Sequence, residues 1–423
     1  MRDAGRLAAA IDIVTEIEAR RKPAKLAVKA WGEAHRFAGS GDRAAIAGLM
    51  LDALRRRRSL AWMMGEDTPR AACIGVLRFV WGWSIERVTE TCAETPHGPG
   101  ALSAEEAARL AAPNDLNDAP PPVQGDYPDW LDGPLARVFG DARAEEGAAL
   151  TVRAPVDMRV NTLKSNTEQV LEALSGMDVH AAGGLPTTVR IDAPSATDRV
   201  APVETHPAFI RGWFEVQDAG SQIAAAVAGD IKSAKVIDLC AGGGGKTLAL
   251  GAMMANTGWP YAYDRDPRRM VDIIPRAERA GLSNLTVLSP LDKEPLKGLD
   301  NKFDLVFVDA PCTGSGTWRR HPDTKWKLSE GSLALRNKEQ YEVLDQAAGL
   351  VRPGGRIIYV TCSLLAEENE DRVAAFLEAR PDFRLGDLPK TVARFATEPG
   401  MLRLSPAVSD TDAFFAAVLV RAG

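Results

Sequence analysis

A chain of 423 residues, 45% hydrophobic and 26% charged, has ordinary globular composition and is long enough for two or three domains. Its apolar runs are broken by charge well short of a bilayer span, and Met1–Arg6 opens a charged amphipathic helix rather than a signal peptide. These features exclude membrane and secreted classes and predict a cytoplasmic protein with no membrane partner.

The net charge of −6 excludes a polycation, yet through Arg70 there are 14 Lys and Arg against 9 Asp and Glu, a local +5. The run Arg55–Arg58 lies there. It reads as a solvated helix end, or as a basic face for nucleic acid. Residues 1–112 have helical spacing. Leu7, Ala10, Ile11, Ile13, Val14 and Ile17 mark the first helix, Ser40-Gly41-Asp42 caps a helix over Ala44–Arg55, Thr68-Pro69 starts one through Trp81, and Ser103 with Glu105 and Glu106 opens one to Ala111. Residues 113–127, rich in Pro and Asp, read as a linker. Residues 128–222 read as a small α+β unit, with helices at Pro128–Phe139, Ala144–Val152 and Ser165–Leu174 and strands at Met158–Asn161, Thr188–Ile191 and Trp213–Gln217. Its Arg159, Lys164, Arg190 and Arg211 line an RNA path or are simply exposed.

From residue 223 to 423 strands and helices alternate, which predicts an α/β fold with a doubly wound sheet. Strands are expected at Lys235–Leu239, Trp259–Tyr263, Leu285–Leu288, Asp304–Val308, Arg356–Thr361 and Phe414–Val420. Helices are expected at Thr247–Met254, Arg268–Ala280, Leu333–Val351 and Glu367–Glu378, with a tight turn at Pro353-Gly354-Gly355. In such a sheet ligands bind beyond the carboxyl ends of the strands.

Three stretches reach that edge with chemistry. The first is Asp238-Leu239-Cys240-Ala241-Gly242-Gly243-Gly244-Gly245-Lys246-Thr247. It reads as a phosphate-binding loop with Cys240 where that pattern needs Gly, or as a nucleoside-cofactor loop whose glycines admit the ligand to the backbone. In the second reading Asp264, at the next strand end, accepts from ribose hydroxyls. The other two stretches are Asp309-Ala310-Pro311-Cys312 and Thr361-Cys362-Ser363. The five cysteines, Cys73, Cys92, Cys240, Cys312 and Cys362, contain no CxxC pair and no cluster with histidine, so neither a disulfide framework nor a metal site is expected. Phosphoryl transfer has no use for two thiols at strand ends. Methylation of carbon 5 of cytosine does need one. A thiolate adding to carbon 6 makes carbon 5 an enamine carbon able to attack a methyl sulfonium, and a second thiol can assist the later elimination.

These motifs, with Arg319-Arg320-His321-Pro322, Trp326 and Glu367-Glu368-Asn369-Glu370, resemble those of the Nol/Nop/Sun (RsmB-type) RNA cytosine-C5 methyltransferases. Arg159-Val160-Asn161-Thr162-Leu163-Lys164 and Val216-Gln217-Asp218 resemble the segment ahead of that family's catalytic domain. Residues 1–112 are similar to its NusB-like RNA-binding domain. The resemblance covers about residue 128 to the C-terminus. It implies a Rossmann-like class I methyltransferase domain and a methyl donor, S-adenosylmethionine. By the same resemblance Cys362 is the nucleophile, Cys312 assists product release, and Asp309 lies near the base. Cys240, Ala241, Gly242, Gly243, Gly244, Gly245, Lys246, Asp264, Asp292 and Asp309 would hold the cofactor. Gly242-Gly243 departs from the family's usual Ala-Pro, and Ala413 stands where Gly is usual.

The expected partner is RNA with an unpaired or flipped-out cytosine, ribosomal RNA of the small subunit by the resemblance, with transfer RNA as the alternative. Arg319, Arg320, Lys325 and Lys327 are expected to meet phosphates; the alternative is a structural loop whose arginines pair with local acids. A non-catalytic RNA-binding assembly factor is the rival from another class.

Overall fold

The computed structural model describes residues 1–113, 115–182, 184–194 and 202–423. It divides into two compact units. One holds Met1–Arg153 with Thr317–Leu328, and the other holds Ala154–Ala193, 202–316 and Ser329–Gly423. Among the described residues no helix is long and apolar enough to cross a membrane.

The first unit is helical. Helix Asp3–Arg20 buries Leu7, Ala10, Ile13, Val14 and Ile17 against helices Ser40–Arg55 and Pro69–Gly75. Helix Ala104–Ala111 has the expected box, with Ser103 Oγ accepting from the Glu106 N–H at 3.0 Å and Glu106 accepting from the Ser103 N–H at 2.8 Å. The second of these helices starts at Ser40 rather than Ala44, because the Asp42 carboxylate accepts from the Gly39 N–H at 3.2 Å. Helix Ile85–Ala93, which the periodicity did not predict, is capped by Ser84.

The basic run is not a solvated end. Arg55 is buried on Asp52 at 2.7 Å, Arg57 pairs with Glu18 and Asp67, and Arg58 pairs with Asp129. The helical unit also runs on to Arg153, past the expected linker. Asp126 is buried and accepts from the N–H groups of Arg58 and Ser59 at 2.8 and 3.0 Å, which stabilises the amino end of helix Arg57–Met64. Beside it Tyr127 is fully buried. Proline and aspartate there fix a packed corner, not a tether.

Residues 317–328 pack into this unit. Trp326 Nε1 donates to the Leu54 carbonyl at 2.7 Å, Arg55 Nε to the Arg319 carbonyl at 2.9 Å, and Lys325 Nζ to the Arg55 carbonyl at 3.0 Å. Lys327 is held by Asp323 and the Lys22 carbonyl. Arg319 and Lys325 are buried, so the expectation that they meet phosphates is corrected. The Lys325 ammonium is turned inward onto the carboxyl end of helix Ser40–Arg55.

The second unit contains two sheets. Strands β1 (Val156–Val160), β2 (Val179–Ala181), β3 (Thr188–Ile191) and β4 (Phe214–Val216) form an antiparallel sheet in the order β2-β3-β1-β4. Met158, Val160, Val189 and Phe214 make its core. Arg159 donates to Gln217 at 2.7 Å and Arg190 pairs with Asp157 at 2.6 Å and with Asp410. Both arginines are buried, so neither lines an RNA path.

The large sheet comprises β5 (Lys235–Asp238), β6 (Trp259–Ala262), β7 (Thr286–Val287), β8 (Phe303–Asp309), β9 (Val351–Thr361), β10 (Phe383–Leu385), β11 (Ala396–Glu398), β12 (Met401–Leu404) and β13 (Phe414–Arg421). The order is β11-β12-β13-β9-β8-β5-β6-β7, with β10 pairing β13. Strands β5 to β9 run parallel, and β13 is antiparallel to β9. The central strands are continuous apolar runs because helices cover both faces. Pro353-Gly354-Gly355 lies within β9 rather than ahead of it. The register on β8 jumps from Phe303–Val351 to Leu305–Arg356, so the extra residues form a bulge with Gly354 at φ +73°.

Candidate active site at the carboxyl ends of the strands

Strands β8 and β9 are nearest neighbours, with Asp309 opposite Val360, and this register carries both thiols to the same sheet edge. Pro311 turns the chain out of β8 while Ser363 and Leu364 lead it out of β9. Cys312 Sγ and Cys362 Sγ lie 3.4 Å apart. They stand at a cavity of about 740 Å³, also lined by Leu239, Cys240, Asp264, Asp309 and Pro311. That volume suits a nucleoside-sized ligand.

The Cys312 thiol is held well above its ordinary range, first by its hydrogen bond to Cys362 and then by burial. It keeps its proton at neutral pH. The Cys240 thiol is also pushed well up by burial and by the carboxylates of Asp238, Asp264 and Asp309, so it is an inert wall of the cavity. Cys73 and Cys92 are buried in the helical unit.

Lys246, on helix Gly245–Met254, donates from Nζ to Asp309 Oδ2 at 2.7 Å and lies 5.0 Å from the Phe414 ring centroid. Burial opposes its charge, but the Asp309 carboxylate outweighs burial and the ammonium is held above its ordinary range. Behind this pair Asp238 accepts from Thr247 Oγ1 at 2.7 Å. Burial raises Asp238 to about 7, helped by Asp309.

The glycine turn is internally bonded. The Gly242 N–H donates to Asp264 Oδ2 at 3.0 Å and the Gly244 N–H to the Ala241 carbonyl at 2.9 Å. Gly242 and Gly244 have φ +49° and +85°, and a Cβ on Gly244 would lie 2.7 Å from Ile273. Ala241 bonds Tyr263 across to β6, and Arg276 Nη1 donates to the Gly243 carbonyl at 2.5 Å. Cys240, Asp264 and Asp309 line the cavity directly, while Ala241, Gly242, Gly243, Gly244, Gly245 and Lys246 are not among its lining residues. Asp292 is exposed in the loop after β7 and lies off the cavity. The chain has already left the sheet after the Leu288 N–H bonds Ala262, and Asp292 turns back on Ser289.

The residues fit S-adenosylmethionine. Asp264 accepts from the Gly242 and Asp266 N–H groups and pairs with Arg269 at 3.0 Å, yet a carboxylate has acceptor capacity beyond these for ribose hydroxyls. Leu239, Ala310, Pro311 and Val343 supply apolar wall for a base. One side of the cavity is unforeseen: Arg336, Glu339, Glu342, Val343 and Gln346 of helix Glu330–Leu350 line it. Their i, i+3, i+4 spacing is the signal a sequence holds for one helix face, but nothing in it says which face meets a ligand.

The sulfur pair is carried by a buried polar lattice. Glu368 accepts from the Thr313 N–H at 2.9 Å, Thr313 Oγ1 at 2.5 Å, Gln340 Nε2 at 2.9 Å and the Ser363 hydroxyl. Asn369 bonds Thr361 Oγ1 at 2.5 Å and the Ser363 carbonyl at 2.9 Å. The Gly316 N–H donates to the Cys362 carbonyl at 2.9 Å.

Residues 229–420 match the family model described as 16S rRNA methyltransferase RsmB/F. The chain is 30% identical over 306 residues to the probable ribosomal RNA small subunit methyltransferase B of Synechocystis, covering 71% of this chain and 68% of that protein. It is 32% identical over 297 residues to the ribosomal RNA small subunit methyltransferase B of Sodalis glossinidius, covering 70% of this chain and 66% of that protein. The match therefore spans about two-thirds of the relatives' length. Among solved structures, PH0851 superposes over 99% of both chains with a TM-score of 0.73 and 26% identity. A methyltransferase homologue from Pyrococcus horikoshii covers 71% of this chain and 97% of its own, with a TM-score of 0.59 and 25% identity. The two thiols at adjacent strand ends, the cavity beside them and these likenesses agree, and the chain belongs to the RsmB/F family of methyltransferases.

Proposed function

We propose that this protein methylates carbon 5 of a cytosine in RNA, the small-subunit ribosomal RNA being its substrate, and that it works in the cytoplasm. The observation that carries this is the 3.4 Å approach of Cys312 Sγ and Cys362 Sγ at the mouth of the cavity. S-adenosylmethionine, when bound, supplies an electrophilic methyl group; Asp264 and the wall formed by Leu239, Cys240 and Pro311 are the residues that would hold it. Cys362 attacks carbon 6 as thiolate, forming the Sγ–C6 bond and moving an electron pair toward carbon 5. Cys312, which keeps its proton, is unsuited to attack but suited to hydrogen-bond the departing sulfur. Once carbon 5 carries the methyl group, its proton passes to solvent, the C5–H electron pair restores the C5–C6 double bond, and the Sγ–C6 bond breaks with its pair leaving on Cys362 Sγ. Asp309, fixed by Lys246, faces the same cavity and orients the base.

The helical first unit and the small sheet of the second are the parts we assign to RNA binding, with chemistry confined to the large sheet. Cys362→Ala is expected to abolish methyl transfer from labelled donor, and Cys312→Ala to accumulate a covalent protein–RNA adduct resolved on a denaturing gel. Full turnover by Cys362→Ala would remove the nucleophile. Bisulfite sequencing of RNA from cells lacking the protein tests the substrate: a cytosine losing protection in small-subunit ribosomal RNA supports the reading, and one in transfer RNA instead replaces it.

A further inference from the structure

Glu368 has no place in the chemistry above, yet it is fully buried and bonded to both thiol-bearing turns. One oxygen takes the N–H of Thr313, next to Cys312, and an amide hydrogen of Gln340; the other takes the hydroxyls of Thr313 and of Ser363, next to Cys362. Gln340, itself fully buried on helix Glu330–Leu350, also donates to the Pro311 carbonyl at 2.9 Å. The Tyr359 hydroxyl donates to the Glu368 carbonyl at 2.6 Å, which fixes the residue from the β9 side. A single carboxylate thus spans the turns after β8 and after β9. Both turns lie beyond the last paired residues, Asp309 and Val360, and besides Glu368 they are tied by the Gly316 N–H to the Cys362 carbonyl at 2.9 Å and by the Leu364 N–H to Ser315 Oγ at 2.8 Å.

We propose that Glu368, supported by Gln340, is a positioning residue that sets the separation of the two sulfur atoms and so holds the Cys312 thiol against Cys362 Sγ. The inference rests on the two-thiol reading of the site. Its logic is that a sulfur–sulfur hydrogen bond is weak and steeply dependent on geometry, so it persists only where both turns are fixed independently. The hydroxyl and amide donors around Glu368 supply that fixing, because an unmade bond to a buried carboxylate is costly. A direct electrostatic effect acts in the same direction, since the Glu368 carboxylate also disfavours ionisation of Cys312.

The test is the pH dependence of alkylation by iodoacetamide, resolved at Cys312 and Cys362 by mass spectrometry of the full chain, alongside turnover. This readout does not require RNA or methyl transfer, so it can fail or succeed whatever becomes of the proposed reaction. Glu368→Ala is expected to shift the midpoint for Cys312 downward by at least about one pH unit, a roughly tenfold faster alkylation at fixed neutral pH. It should lower kcat while leaving the KM for S-adenosylmethionine within about twofold, because Glu368 does not line the cavity. Glu368→Gln keeps the volume and one acceptor oxygen and is expected to restore most of the wild-type profile. If Glu368→Ala does not fold, Gln340→Leu takes its place, with the same direction and a smaller shift. An unchanged Cys312 midpoint in whichever variant folds, or a Glu368→Gln profile equal to that of Glu368→Ala, overturns the proposal.

Discussion

Asp238 ends β5 in full burial, with Thr247 on one oxygen and the Lys246–Asp309 pair nearby. Burial first, and the Asp309 charge with it, lift its carboxyl from 3.8 to about 7. A folded value above the unfolded one means that the folded chain binds more protons between those limits. Stability from this residue is therefore present below about pH 4 and is lost as pH rises to about 7. At about 1.4 kcal/mol per unit, the loss is on the order of 2–4 kcal/mol. Asp238→Asn is expected to flatten that decline and to raise the melting temperature at pH 7.5 more than at pH 4.5. Thermal melts of the two proteins at both values check it; an equal change at both would show that Asp238 does not titrate in this window. The retention of a costly carboxylate behind Lys246 fits a site whose charges are fixed for a ligand rather than for stability.

The elements that matter are the strand–turn–helix units, and each turn is specified by backbone as much as by side chain. Gly244 ends the loop after β5 at φ +85°, and Ile273 occupies the space a side chain would need. Gly244→Ala adds both strain and a clash, so a loss of about 1–3 kcal/mol in denaturant unfolding is expected. Binding of S-adenosylmethionine by calorimetry should weaken in parallel, since Gly242 and Asp264 share that turn through a 3.0 Å bond. Undiminished stability would mean that the helix after the loop shifts freely, contrary to its burial. In the turns after β8 and β9 glycine acts differently: a Cβ on Gly316 would meet the Ala413 carbonyl at 2.4 Å. Gly316 is needed there for close approach, and Ala413 leaves no spare room.

At the scale of the whole molecule, the chain crosses between its two units directly after the turn that carries Cys312, at Gly316–Thr317. Residues 317–328 are then gripped by the helical unit through Trp326, Asp323 and Lys325. Lys325 is fully buried, and burial lowers its ammonium to about 8 although Asp126 opposes the shift. Its folded value lies below the unfolded 10.5, so the unfolded chain binds more protons between them, and stability rises with pH across about 8 to 10.5. Lys325→Met should remove that rise, on the order of 2–3 kcal/mol, seen as a urea midpoint that no longer increases between pH 7.5 and 9.5. A midpoint that still climbs equally in the variant would assign the effect to another group.

The sequence by itself determined which strands would carry two thiols to one sheet edge. Short β-branched runs ended by Pro or Gly named β8 and β9, and the parallel fold places strand ends on one edge, so the common edge shared by Cys312, Cys362 and Asp309 was legible without coordinates. The glycine run announced its turn, because glycine takes positive φ angles at the least cost. Tertiary structure alone decided where long charged side chains end. Arg159, Arg190 and Lys325 read as free cations along the chain, yet each is buried on a partner or carbonyl that lies far away in sequence. The same holds for Glu368, whose bonds to Thr313 and Gln340 reach back 55 and 28 residues. Local periodicity records which face of an element is apolar, but which distant polar atom completes a buried charge is fixed only when the sheets and helices close on one another.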